Sequence, residues 1–191
     1  MRGALAALVS LVLLASLGGC GEEGRPVGSL EPTRAPSPSA PPGLDTSPPT
    51  EPDQEPTRAS AEEFGSYLAL LVQHAIRIRD VEPVIVLARD QATCTTCGQL
   101  GDFIEGMKKE GVWEVGPDLE IRQMRARPTG DLAYAVAGRF AYPPAEQVDV
   151  EGRVVDSLDG GRNFVFRADV SWSDVRDAWQ IGDYTFLNKD G

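Results

Sequence analysis

The chain has 191 residues, 41% of them hydrophobic and 25% charged, and a formal net charge of −11. So acidic a balance excludes nucleic acid as a partner, because gripping phosphates needs clustered cations, and it argues against adhesion of the folded part to anionic lipid. A single histidine and three cysteines also leave few ligands for zinc, which takes about four, so neither a metal nor another cofactor is expected.

The first residues read MRGALAALVSLVLLASLGGC. Arg2 is a minimal positive segment, and Ala4 to Leu17 form an apolar run shorter than the ~20 residues a spanning helix needs. Residues 1–19 therefore have the form of a signal peptide. Leu17, Gly18, Gly19 and Cys20 resemble the lipobox of bacterial lipoproteins. That resemblance implies lipidation of Cys20, a membrane anchor built on acyl chains, and a mature protein held on the extracytoplasmic face of the cell membrane.

Residues 20–58 hold ten of the fifteen prolines and no aromatic residue. Such a stretch buries too little apolar surface to offset its ordering entropy, so it is expected to be a disordered stalk with polyproline character.

Residues 59–191 have the size of one domain. Ser60 and Glu63 have capping-box spacing. Phe64, Leu68, Leu71, Ala75 and Ile78 then recur at three- and four-residue steps, a helix ending near Arg79. Residues 81–88 fit either a short helix entered through Pro83 or a buried strand. A second long helix carries Cys97, Leu100, Ile104 and Met107 on one face and stops at Gly111.

Cys94 and Cys97 open that helix on the spacing C-x-x-C, with Thr96 and Gln99 as a further capping box. If lipid consumes Cys20, these two remain as an even pair in an oxidising compartment, expected to form a disulfide that staples the helix entry. Two other readings stay open. A helix N-terminus activates a thiolate, which suits a thiol-disulfide oxidoreductase. Half a metal site would need further ligands, and His74 lies at the far end of the first helix.

From Trp113 the period becomes two. Residues 113–127, 131–142, 146–157, 162–172 and 177–187 read as five strands joined by Pro- and Gly-rich turns. Phe164, Phe166, Ala168, Val170 and Trp172 share one face of the fourth. Short connections imply an antiparallel meander, and the preceding helices must cover one of its faces. The expected fold is α+β, N-terminal helices on a curved antiparallel sheet of about five strands.

Phe64 and Tyr67, Asp80, Cys94 and Cys97, Gly111, Gly152 to Val155 and Trp179, in that order of elements, resemble an uncharacterised family of actinobacterial lipoproteins. Its single domain is similar to the nuclear-transport-factor-like, SnoaL-like cone, and the likeness spans about residues 60–187. The resemblance implies a fold and a location more than an activity. Enzymes of that fold place a His or Asp inside the cone as a general base. Here His74 is the one histidine, with Asp80, Asp90, Asp102 or Asp183 to orient it, and no acid/base pair stands out. A pocket in the cone would draw on Tyr67, His74, Tyr134, Phe140, Phe164, Phe166 and Trp179. The expected role is a non-catalytic binding module at the cell envelope for a small apolar ligand or an envelope protein, with pairing of two copies through the sheet face. The alternatives are the oxidoreductase above and a small-molecule isomerase or hydrolase using His74.

Overall fold

The first helix begins before its expected capping box. In the computed structural model, which describes residues 40–188, α1 runs Arg58–Ile78. Its cap is Thr57, whose side chain accepts a bond from the Ser60 amide, so Ser60 is the capped residue rather than the cap. Arg79 ends the helix in the left-handed region and lays its guanidinium 3.5 Å from the centroid of the Trp113 ring. Residues 82–85 form the short helix α2 (Glu82–Ile85), with Pro83 in its first turn and Val84 fully buried. Helix α3 spans Thr95–Glu110, and Gly111 closes it at φ 69°, a conformation that costs a residue without Cβ little.

Among the described residues seven strands follow where five were expected. The stretch 113–127 breaks at residues 116–119 into β1 (Trp113–Val115) and the start of β2 (Glu120–Gly130). The third expected strand likewise divides at the turn 149–153 into β4 (Ala145–Val148) and β5 (Val154–Leu158). The others are β3 (Ala133–Tyr142), β6 (Gly161–Ser173) and β7 (Ala178–Asn188). They form two antiparallel sheets, β1-β4-β5 and β2-β3-β6-β7. Register shifts between Arg122 and Arg125 and between Asp169 and Val170 bend the larger sheet. Helices packed on curved antiparallel sheets make the fold α+β.

The core lies between that sheet and the helices. Phe64, Leu68 and Ala75 of α1, and Leu100 and Ile104 of α3, meet Val136, Phe166, Ala168 and Ile181. Alternation along β6 holds from Phe166 to Val170, with Phe166, Ala168 and Val170 buried and Arg167 and Asp169 exposed, while Val165, expected on the outward face, is buried as well. The chain before α1 joins this body. The Trp179 amide donates to Gln54 Oε1, its indole Nε1 to the Glu55 carbonyl and Ser60 Oγ, and Ser60 Oγ to the Asp53 carbonyl. Ordered contacts thus start by Asp53, ahead of the boundary at 59 read from composition. The Glu55 carbonyl and the Gln54 side chain of this strap bind Trp179. Cys20 and residues 1–19 lie outside the described residues, and among the described residues no helix is long and apolar enough to cross a membrane.

Candidate functional site

Strand register sorts the interior aromatics into two groups. Tyr134 opposes Val170 and Trp172 opposes Trp179, so Tyr134, Trp172 and Trp179 gather at one end of the sheet. Their rings meet edge-on, Tyr134 to Trp179 at 5.7 Å and Trp172 to Trp179 at 5.5 Å, and the strap binds across Trp179. Phe140 opposes Phe164, and Phe166 opposes Phe186, which places a second group toward the other end. There Phe140 stacks on Phe164 at 5.3 Å and meets Phe186 edge-on at 5.3 Å.

Beside this second group is a cavity of about 390 Å³ between α1, α3 and the sheet. Val72 and Ile76 form its α1 wall, Leu100 and Phe103 its α3 wall, and Phe140, Phe164, Tyr184 and Phe186 its floor. Phe103 is half exposed, a large apolar ring left at the rim.

Nearly every polar side chain along the wall is already engaged. Gln73 donates to the Pro117 carbonyl and accepts from the Leu119 amide, thereby holding the turn between β1 and β2. The Thr96 hydroxyl donates to the Tyr184 carbonyl. Tyr142 neighbours Glu114, a carboxyl buried on β1 whose pKa burial raises above the ordinary 4.5. Tyr184 differs. Its side chain is 3% exposed, and its hydroxyl, fully shielded, has no hydrogen-bond partner among the described residues. Burial, with the charge of Asp183 added, raises its pKa, so the hydroxyl keeps its proton and stays a donor.

Of the pocket residues expected from sequence, Phe140 and Phe164 line this cavity and Phe166 packs against Phe186 beneath it, 5.0 Å between centroids. Tyr134 and Trp179 belong to the opposite end of the sheet, and Tyr67 sits against Phe64 on α1, so none of the three lines the cavity. His74 does not line it either, although it is 8% exposed. Burial lowers its pKa, the nearby Arg77 charge lowers it further, and Asp45 opposes both. Of the acids suggested to orient His74, Asp183 lies elsewhere and caps α3: its Oδ1 accepts from the Thr96 amide at 3.0 Å. The helix has Cys94 as its own cap residue, with no capping bond from that side chain, so a carboxylate from β7 satisfies the amide instead of the expected Thr96–Gln99 box.

Cys94 and Cys97 are joined in a disulfide, Cα to Cα 5.3 Å, and neither is more than 3% exposed. Among the described residues no group of three or more His, Cys, Asp or Glu side chains is arranged to hold a metal.

Sequence reasoning missed Glu114, Gln73 and Tyr184. Gln73 and Tyr184 were legible as helix- and strand-face positions. Glu114 carried no signal, since in a strand as short as Trp113–Val115 both Trp113 and Glu114 are buried and alternation fails.

A second, larger depression of about 970 Å³ lies on the outer face of the four-stranded sheet. Arg125, Arg127 and Arg167 stand around Ala135 and Ala137, with Asp169 and Asp183 toward β7. Its charged side chains are solvated, and the apolar enclosure that favours a small molecule is found in the smaller cavity.

No family model matches the sequence, and no curated protein matches it. Among solved structures, the chain is similar to a protein from Novosphingobium aromaticivorans described as a candidate aromatic ring hydroxylase, with a TM-score of 0.46 and 10% identity over 70% of this chain and 92% of that one. It is also similar to Aln2 from a Streptomyces species, with a TM-score of 0.42 and 8% identity over 69% of this chain and 90% of that one. At these values neither neighbour informs the chemistry of this chain.

Proposed function

We propose that the protein is an extracytoplasmic, lipid-anchored binding module whose cavity takes up a small, largely apolar molecule. The observation that carries this reading is the 390 Å³ space walled by Val72, Ile76, Leu100, Phe103, Phe140, Phe164 and Phe186. It falls within the roughly 300–1,000 Å³ of ligand sites, which are mostly apolar with a few placed polar groups. Binding is favoured over catalysis because Gln73 and Thr96 direct their polar atoms at the protein itself. The helices seated in the hollow of a curved sheet support a nuclear-transport-factor-like, SnoaL-like cone as the finer description of the fold. Burial of both sulfurs supports the staple over the oxidoreductase, since exchange needs an accessible sulfur. The lipid anchor rests on Leu17 to Cys20.

The cavity is tested by titrating the full-length protein with N-phenyl-1-naphthylamine and following its fluorescence. Saturable binding, weakened at least tenfold by Phe103→Asp, is the expected result; an unsaturable signal indifferent to that substitution overturns the reading. The anchor is tested by fatty-acid labelling, which Cys20→Ser should abolish.

The same proposal would pair two copies through the outer face of the larger sheet. With the two-fold axis parallel to the strands, β2 of one copy lies over β7 of the other. Arg127 then faces aspartates rather than its own equivalent. Sedimentation at low and high salt checks this, with association expected only at low salt.

A further inference from the structure

We infer that the ligand of the apolar cavity is an amphiphile that is polar at one end only. Its hydrocarbon part fills the cavity, and its polar group stays in water at the rim beside Gln99 and Phe103. The inference rests on the cavity being a binding site and adds how its occupant is built and which end enters.

The cavity presents carbon to its contents almost throughout. The polar side chains of its wall turn their polar atoms elsewhere. Gln73 holds the Pro117 carbonyl and the Leu119 amide, and the Thr96 hydroxyl holds the Tyr184 carbonyl. Tyr184 contributes its ring, its hydroxyl being fully shielded. Among the described residues no Lys, Arg, Asp or Glu lines the space. The backbone of the floor is spent as well, since Phe140 and Phe164 stand on β3 and β6, the two central strands, each paired on both sides. A polar group carried inside thus gives up its bonds to water and receives none in return, which is disfavoured for a neutral group and far more so for a charge.

The polar group is left with the open side. Of the lining residues the exposed ones are Gln99 and Phe103, one turn apart on α3, so the cavity meets solvent along this part of the helix. A head group held there keeps its water, and its chemical identity and charge matter little to affinity. A molecule polar at both ends is disfavoured by the same argument, because one of its polar ends has to enter.

Octanol, decanol, decanoate, decyltrimethylammonium and the decanediol with a hydroxyl at each end are compared as competitors of the fluorescent reporter in the full-length protein, below their micelle concentrations. Affinity should rise about fourfold for each methylene between octanol and decanol, as a chain leaving water for an apolar site requires. Decanol, decanoate and decyltrimethylammonium should agree within about fivefold, the most that a charge left in water gains or loses at a protein surface. The diol should bind at least about tenfold more weakly than decanol, the loss from one unsatisfied hydroxyl. Gln99→Glu and Gln99→Lys, exposed substitutions that leave the core untouched, place opposite charges at the rim. The ratio of cation to anion affinity should be about tenfold higher in the first variant than in the second. A diol that matches decanol, or a wider spread among the three head groups in the native protein, puts a polar group inside and overturns the inference while the cavity remains a binding site. Equal binding of octanol and decanol, or an equal cation-to-anion ratio in the two variants, overturns it in the same way. Failure of every compound and of the reporter itself overturns both readings.

Discussion

Gly65 tests how closely α1 is seated on the sheet. A Cβ at this position would lie 2.5 Å from Val136 Cγ1 and 3.3 Å from Met124 Cγ, whereas carbon atoms settle about 3.5–4.0 Å apart. Val136 cannot swing away: it is fully buried and its branched side chain has few alternative rotamers. Gly65→Ala therefore sets two terms against each other. Removing a glycine from a helix interior gains about 1 kcal/mol. Forcing a methyl group into a filled core costs about 1–3 kcal/mol. The overlap with Val136 is about 1 Å, which places the cost in the upper half of that range, so the net expectation is a loss of about 1 kcal/mol. In a Val136→Ala background the offending methyl is gone, and the same Gly65→Ala change should stabilise by about 1 kcal/mol. A sign reversal of this kind is a coupling of about 2 kcal/mol between residues in contact. Urea unfolding followed by tryptophan fluorescence measures all four proteins. If Gly65→Ala stabilises in both backgrounds, α1 does not sit as close to β3 as described. The consequence for the site follows from the same helix. Val72 and Ile76 lie about two and three helical turns further on, so outward displacement at Gly65 should also weaken reporter binding, and Val136→Ala should restore it.

Asp183→Ala removes the cap of α3 and should cost about 1 kcal/mol, with faster hydrogen exchange at the Thr96 amide; unchanged exchange would remove Asp183 from that role. For Glu114, burial makes the folded state hold its proton more tightly than the unfolded state, so its contribution is complete below the unfolded value near 4.5 and is lost as pH rises through the raised folded value. Glu114→Gln imitates the protonated form. Its stability relative to the native protein should therefore grow from pH 4 to pH 8, and a difference constant across that range would contradict the assignment. Trp179→Phe deletes the indole bonds to Glu55 and Ser60 and should speed proteolytic cleavage within residues 40–57, where an unaltered cleavage rate would show that the strap is held otherwise.

How far the fold was readable depended on how long each pattern ran. The stripe from Phe64 to Ile78 and the alternation on β6 each span enough residues for one period to dominate; the helix is present as expected and the alternation holds over Phe166 to Val170. The breaks at residues 116–119 and 149–153 were not legible, because apolar residues resume on either side of them. Caps were misplaced for a different reason. Ser60–Glu63 and Thr96–Gln99 have the right local spacing, yet Thr57 and, from 87 residues away, Asp183 supply the bonds. Local spacing cannot show that a distant carboxylate will arrive first. The strap was misread on composition alone. Its prolines and acids do lack a core of their own, but its carbonyls and Gln54 serve Trp179, and the interaction depends on the partner rather than on the segment.

The same contrast explains why the aromatic residues were foreseen and the site was not. Tyr134, Phe140, Phe164, Phe166 and Trp179 all point inward by alternation, so sequence grouped them as one lining. The sheet separates them because α1 is pressed down at Gly65, over Val136 in the middle of β3, while farther along its length Val72 and Ile76 face a gap. A rigid helix touching a bent sheet closely at one place must stand off at another. Tyr134, Trp172 and Trp179 fill the interior at one end, with the strap bound to Trp179, and the phenylalanines floor the opening at the other. The cavity is thus a consequence of where one glycine permits contact, which is why its volume emerges only once strand register and helix seating are known.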